Sequence, residues 1–210
     1  MNRSGSEYIS NFNGVKTLFE YTKKLQSQVI LDLGAGTARA IREISESNLG
    51  SGLVFSATVL RHSPEITKYL GISKVHISPV ETLRGVADSS IGCVLANLSI
   101  AYSVSPNLAV KSIDRVLVPG GALKAVFPSL TQSIKRAGVL QDSRIFKLEL
   151  ESIGYDTYEN RGPQLTVLLA VKPGKAIEGA AQNLYFADEL TVFDQLTDFV
   201  RDRTTNRAGG

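Results

Sequence analysis

The order of apolar and polar positions divides the chain into stretches with different periods. Within residues 12–25, Val15, Leu18, Phe19 and Thr22 recur at the spacing of one helix face, which predicts an amphipathic helix. Residues 29–33 are apolar apart from Asp32 and read as a first strand. A second helix is expected over 37–47, with Ala40, Ile41 and Ile44 facing the sheet, until Asn48, Gly50, Ser51 and Gly52 break it. Residues 53–60, rich in β-branched and aromatic side chains, form the second strand. Ser63 as N-cap and Pro64 at the first helical position then start a helix that ends near Gly71. Residues 75–77 read as a short third strand and 80–83 as a single helical turn. Residues 91–96 are continuously apolar, as a strand covered on both faces would be.

A helix follows over 107–118, with Leu108, Val110, Ile113, Val116 and Leu117 as its expected buried side, and Pro119-Gly120-Gly121 stops it. Residues 122–127 are the fifth strand. Residues 143–153 are helical, with Ile145, Phe146, Leu148 and Ile153 on the apolar side. Two strands over 155–159 and 165–171, joined by Asn160-Arg161-Gly162-Pro163, make a hairpin. Residues 172–183 read as a linker. Leu190, Phe193, Leu196, Phe199 and Val200 are spaced for a last amphipathic helix with a basic end.

Strands alternating with helices predict an α/β fold with a doubly wound, mostly parallel seven-stranded sheet and a C-terminal antiparallel hairpin. Residues 1–28 are then an arm and a helix, 29–171 the domain, and 172–210 a linker and a helix packed on or extending it. Ligands of such sheets sit beyond the carboxyl ends of the strands, where strand order reverses. That gathers the glycine turn at 34–37, the 60–63 loop, the 78–81 loop and Asn97 around one crevice.

The bulk numbers narrow the partners. The 210 residues, 43% hydrophobic and 20% charged, are ordinary for one globular domain. A net charge of +3 is mild, and the basic residues, such as Lys23-Lys24, Lys135-Arg136, Arg201, Arg203 and Arg207, are scattered without an aromatic-interleaved stripe. No nucleic-acid partner is therefore expected. The single cysteine, Cys93, excludes an internal disulfide, and with only His62 and His76 beside it no metal site is expected. His76 and Cys93 read as core residues. The first ten residues are polar and lack the apolar centre of a secretory signal, and no run approaches the roughly 20 apolar residues that cross a bilayer. The expected compartment is the cytoplasm, with no membrane partner.

The chemistry concentrates in Val29-Ile30-Leu31-Asp32-Leu33-Gly34-Ala35-Gly36-Thr37-Ala38-Arg39. Strand, glycine turn and helix in that order suit a nucleotide-like ligand, because glycines let the backbone approach it and the helix start offers free N–H groups. A dinucleotide fingerprint wants a small residue where Arg39 stands; the alternative in its favour is that Arg61, ending the second strand, meets a 2′-phosphate. The stretch instead resembles motif I of the class I S-adenosylmethionine-dependent methyltransferases. Asp88-Ser89-Ser90-Ile91 is similar to that family's acidic lead-in to strand four, Ala96-Asn97-Leu98-Ser99 to its motif after strand four, and Ile113-Asp114-Arg115-Val116-Leu117-Val118-Pro119-Gly120-Gly121-Ala122-Leu123 to its segment leading into strand five. The resemblance runs from 29 to 171 and includes the hairpin.

It implies S-adenosylmethionine as cofactor, with Asp32 near the methionine amino group, Gly34, Ala35 and Gly36 as the backbone that passes close to the ligand, and Thr37 as a hydroxyl at the helix start. Two positions depart from the family pattern. Arg61 stands where an acid usually holds the ribose hydroxyls, and Pro79 stands where an aspartate is common, with Glu81 as the nearby carboxylate that compensates. Asn97 and Tyr102 are the candidates for orienting or catalytic groups, Asn97 also lining the cofactor; His62 reads as an exposed loop residue. Two functions follow from the resemblance. One is methyl transfer to an unidentified acceptor. The other is a methyltransferase-like module without catalysis that binds or assembles, with the last amphipathic helix as its docking element for a protein partner.

Overall fold

The computed structural model describes residues 15–61, 66, 74–128, 141–162, 165–174 and 181–184. The helix expected over 63–71, apart from the buried, helical Ile66, and the last amphipathic helix lie outside the described residues.

Seven strands form one sheet: β1 (Val29–Asp32), β2 (Val54–Val59), β3 (Lys74–Ile77), β4 (Ile91–Asn97), β5 (Leu117–Pro128), β6 (Asp156–Arg161) and β7 (Leu165–Val171). Their order is β3-β2-β1-β4-β5-β7-β6. The first five are parallel to their neighbours, whereas β7 runs antiparallel to β5 and to β6. The chain builds outward from β1 to β3 and then returns to place β4 on β1's other side. Strand order therefore reverses between β1 and β4, and the carboxyl ends of these two strands are where ligands of such sheets sit.

Side chains alternate across the sheet, and each face is buried under helices. Cys93 and Leu95 join the layer of α1 (Val15–Thr22) and α2 (Arg39–Ser45), where Phe19 meets Phe55 edge-on at 6.0 Å. Val94 and Ala96 join the layer of α3 (Pro106–Val116) and α4 (Ser143–Ser152), where Phe127 and Phe146 lie 5.4 Å apart. All of β4 is buried, as its unbroken apolar run requires. The linker expected after β7 contributes a helical turn at 181–184, whose Ala181 and Leu184 reach the first layer.

The four residues expected on the buried face of α1 are the four that are buried. Elsewhere the helices differ in detail from the sequence pattern. α2 starts at Arg39 rather than at 37, because Ala38 takes a left-handed conformation (φ 60°) that prolongs the glycine turn. Ile41 and Ile44 are buried as expected, and the side chain of Ala40 is outside the described ones. In α3 the stripe is Ala109, Ile113 and Val116 with Val110 and Ser112, which turns Leu108 outward, 50% exposed. In α4 the buried pair is Phe146 and Leu150, one turn apart, so Leu148 is 66% exposed and Ile145 and Ile153 are also on the outside. The expected helical turn at 80–83 is a turn closed by the N–H groups of Thr82 and Leu83 on the Pro79 carbonyl.

Pro119-Gly120-Gly121 is not a helix stop. α3 ends earlier, at Val116, with Leu117 already extended as the first residue of β5. Leu117 pairs with Ile91 and Ala122 with Cys93, so Val118-Pro119-Gly120-Gly121 bulges out opposite Gly92. Gly120 (φ +76°) makes the bend, and the Tyr21 hydroxyl donates to its carbonyl at 2.6 Å.

Candidate functional site

β1 ends at Asp32, and the next residues turn sharply over the neighbouring strands. The Leu33 N–H donates to the Leu95 carbonyl at 2.7 Å, which carries the sheet one residue further. Thr58 of β2 then catches the turn twice, its hydroxyl accepting from the Gly34 N–H at 3.0 Å and its carbonyl from the Ala35 N–H at 2.9 Å. Gly34 (φ +67°) and Gly36 (φ +63°) both need the left-handed conformation that glycine adopts freely. Gly34 has a second reason to be glycine: a Cβ there would lie 2.6 Å from the Cβ of Ser99. The turn after β1 and the loop after β4 thus touch, and backbone alone fits between them.

Two polar side chains lie at the base of this contact. Asp32 is 2% exposed at the end of β1, and Asn97 is 3% exposed at the end of β4. Alternation along both strands puts them on the same face as Ile30, Cys93 and Leu95. Ser99 adds a buried hydroxyl with no hydrogen-bond partner among the described residues, at the point nearest Gly34. An orphaned hydroxyl, a glycine-lined approach and a buried carboxylate fit a ligand that brings an amino group and hydroxyls of its own. Thr37 and Ala35 are half-buried above them, and Gly34 and Gly36 are exposed. The sequence showed Ser99 as the last residue of a motif but gave it no role; its position opposite Gly34 depends on a contact between distant segments.

The structure gives the other candidates different surroundings. Arg61 is exposed beyond the end of β2. Glu81 is tied to the loop after β4: its Oε1 accepts from the Ser103 hydroxyl at 2.9 Å and from the Val104 N–H at 2.8 Å, and its carbonyl accepts from the Ser112 hydroxyl at 2.7 Å. Burial raises the pKa of the Glu81 carboxyl, but hydrogen bonds from its own backbone, Ser103, Val104 and Ser105 outweigh that and hold it below the ordinary carboxylate range. Tyr102 closes the 3₁₀ turn Ile100–Tyr102 and is exposed, so Glu81 fixes the segment that carries it. His76 is buried in β3, where desolvation and then Lys74 push its pKa down, and Cys93 is buried in β4. His62 is outside the described residues. Among the described residues no group of three His, Cys, Asp or Glu side chains is arranged to hold a metal ion, and no helix is long and apolar enough to cross a membrane.

Residues 31–125 match the family model described as a methyltransferase domain, a span that begins inside β1 and ends inside β5. Among curated proteins none is significantly similar in sequence. Solved structures with the same fold include a SAM-dependent methyltransferase from Archaeoglobus fulgidus, with a TM-score of 0.60 and 14% identity over 75% of this chain and 91% of that one. A SAM-dependent methyltransferase from Aquifex aeolicus matches with a TM-score of 0.56 and 15% identity over 81% of this chain and 99% of that one. An O-methyltransferase family protein from Burkholderia thailandensis matches with a TM-score of 0.56 and 12% identity over 77% of this chain, which spans only 57% of that protein. Glycine turn, domain match and strand order together give the chain a class I methyltransferase-like fold with a methyltransferase domain match over 31–125.

Proposed function

We propose that the chain is an S-adenosylmethionine-dependent methyltransferase acting on an acceptor still to be identified. The observation that carries this reading is the contact of Gly34 with Ser99 over two buried polar ends, Asp32 and Asn97, at the point where strand order reverses. A turn held this close by backbone alone leaves room for a ligand along its open side, and the Asp32 carboxylate suits an ammonium group there.

When bound, the cofactor supplies a methyl group on a sulfonium, and in its transfer alignment provides much of the rate. The chain's own residues do the holding. Asp32 accepts hydrogen bonds from the methionine amino group, and the backbone of Gly34, Ala35 and Gly36 lines the ligand with no side chain in the way. The hydroxyls of Thr37 and Ser99 are the nearby partners for its polar atoms. Asn97 orients the reacting groups from the end of β4. Tyr102, fixed through Glu81, faces the acceptor at the mouth of the crevice. The lone buried Cys93 suits a reducing compartment, and we assign the protein to the cytoplasm.

Titration calorimetry with S-adenosylmethionine and with its demethylated product tests the reading. Binding in the micromolar range is expected, worth about 8 kcal/mol, and it is expected to vanish in Asp32→Ala and in Gly34→Val. Saturating cofactor that gives neither heat nor a thermal shift overturns it.

A second reading is a binding or assembly module that has lost catalysis. Arg61 and Pro79 in place of two acids favour it, as does the Glu81 carboxylate, whose Oε1 is engaged by Ser103 and Val104. Under it the folded protein shows no response to the cofactor and docks a protein partner through the segment that follows residue 184.

A further inference from the structure

Lys124 has no part in the site as described, yet it stands in the middle of β5, 1% exposed, among the largest fully buried side chains of the molecule. A lysine there needs an opposite charge, because burial penalises its charged form steeply. Alternation along β5 puts it on the face of Ala122 and Val126, within the layer of α1 and α2. The pairing of strands then fixes its neighbours on that face. Ala57, Asp32, Leu95, Lys124, Leu169 and Tyr158 form one row across β2, β1, β4, β5, β7 and β6.

Asp32 and Lys124 therefore flank Leu95 on the same face, two strand spacings or about 9.6 Å apart at Cα. The four-carbon stem of lysine is long enough to span most of that gap above a leucine, and the short aspartate arm is long enough to span the rest. Each of the two residues takes part in a polar or electrostatic interaction. Among the described residues Asp32 is the one carboxylate of the row. Tyr158, on the opposite flank, offers only a hydroxyl, which does not balance a buried charge.

We propose that Lys124 is a positioning residue, its ammonium forming a buried ion pair with the Asp32 carboxylate across Leu95. The pair holds the carboxylate at the floor of the crevice and brings that floor to zero net charge before any ligand arrives. Its effect on cofactor choice rests on the methyltransferase reading above; the pair itself does not. With the charge already balanced, the floor recognises an ammonium group by hydrogen bonds and does little to separate a sulfonium ligand from its neutral thioether product. Without Lys124, the full charge of Asp32 favours the sulfonium form.

The test is a double-mutant cycle on the full chain, read first by thermal unfolding without ligand. Lys124→Met and Asp32→Asn each leave the other group buried without its partner, and each lowers the melting temperature by roughly 10 °C. The double variant melts no lower than either single one. If a single variant does not fold, a folded double variant carries the same result. A double variant that loses the sum of the two shifts, or does not fold, overturns the pair. The second readout is calorimetry on folded Lys124→Met with S-adenosylmethionine and S-adenosylhomocysteine. The ratio of their dissociation constants moves about tenfold toward the sulfonium ligand. An unchanged ratio overturns the positioning role. A coupled melting cycle in a protein that binds neither ligand keeps the ion pair and removes the methyltransferase reading instead.

Discussion

The carboxyl ends of β1 and β4 and those of β2 and β3 are built differently, although they lie along one edge of the sheet. At β1 and β4 the backbone is over-determined: Thr58 holds two successive N–H groups of the turn, Gly34 leaves no room for a Cβ against Ser99, and Asp32 and Asn97 are buried. At β2 and β3 the corresponding positions are an exposed arginine, Arg61, a proline, Pro79, and a glutamate, Glu81, bound to the loop after β4. The first half carries the features that define the fold. The second half has the freedom to change ligand chemistry without disturbing the sheet, since site residues on loops are not committed to the core.

Substitutions separate the halves by size of effect. Gly34→Val is expected to be the most damaging, since a β-branched residue at φ +67° and 2.6 Å from Ser99 Cβ is both strained and clashing. A fall in melting temperature of roughly 10 °C is expected, with loss of cofactor heat; a stable variant that still binds would erase the contrast between the halves. Arg61→Asp acts in the opposite sense. A carboxylate at that position adds hydrogen bonds to ribose hydroxyls worth about 1.5–3 kcal/mol, so calorimetry is expected to show cofactor binding roughly 10- to 100-fold tighter, with an unchanged melting temperature. Weaker binding would mean that the arginine itself contacts the ligand.

Glu81→Gln gives the smallest effect, and its pH dependence identifies its origin. The Glu81 carboxyl titrates below its ordinary value in the folded chain, so folding favours its ionised form. That stabilisation is complete above the ordinary carboxylate pKa and is lost as pH falls through the lower folded value. The melting difference between wild type and Glu81→Gln is therefore expected at neutral pH and should close in acid. A difference that persists in acid would assign the role of Glu81 to packing rather than to charge.

Sequence and structure agree best where one local rule decides the outcome. Val15, Leu18, Phe19 and Thr22 sit on a single helical period and are buried together. Gly34 and Gly36 stand where left-handed backbone is required. The pattern is less informative where two faces of a helix both carry apolar residues: Leu108 and Leu148 look like core residues, but Ala109 and Leu150 take those places because the neighbouring helix and sheet decide which stripe turns inward. Pro119-Gly120-Gly121 reads as a stop by composition, whereas strand pairing across Gly92 makes it a bulge. In the site, the motif I residues were legible as a contiguous stretch. Ser99 opposite Gly34, and Glu81 joined to Ser103 22 residues away, were not, because each depends on a contact that only the closed sheet creates.

The order in which the last strands are laid down has a kinetic consequence. β6 is synthesised before β7, yet β7 takes the interior place beside β5 and β6 becomes the rim. Until residue 171 has emerged and the hairpin has docked, β5 presents a long, apolar, unpaired edge. The nascent chain thus passes through a stage in which a nearly complete domain is most prone to self-association, and the rate of hairpin docking sets how long that stage lasts.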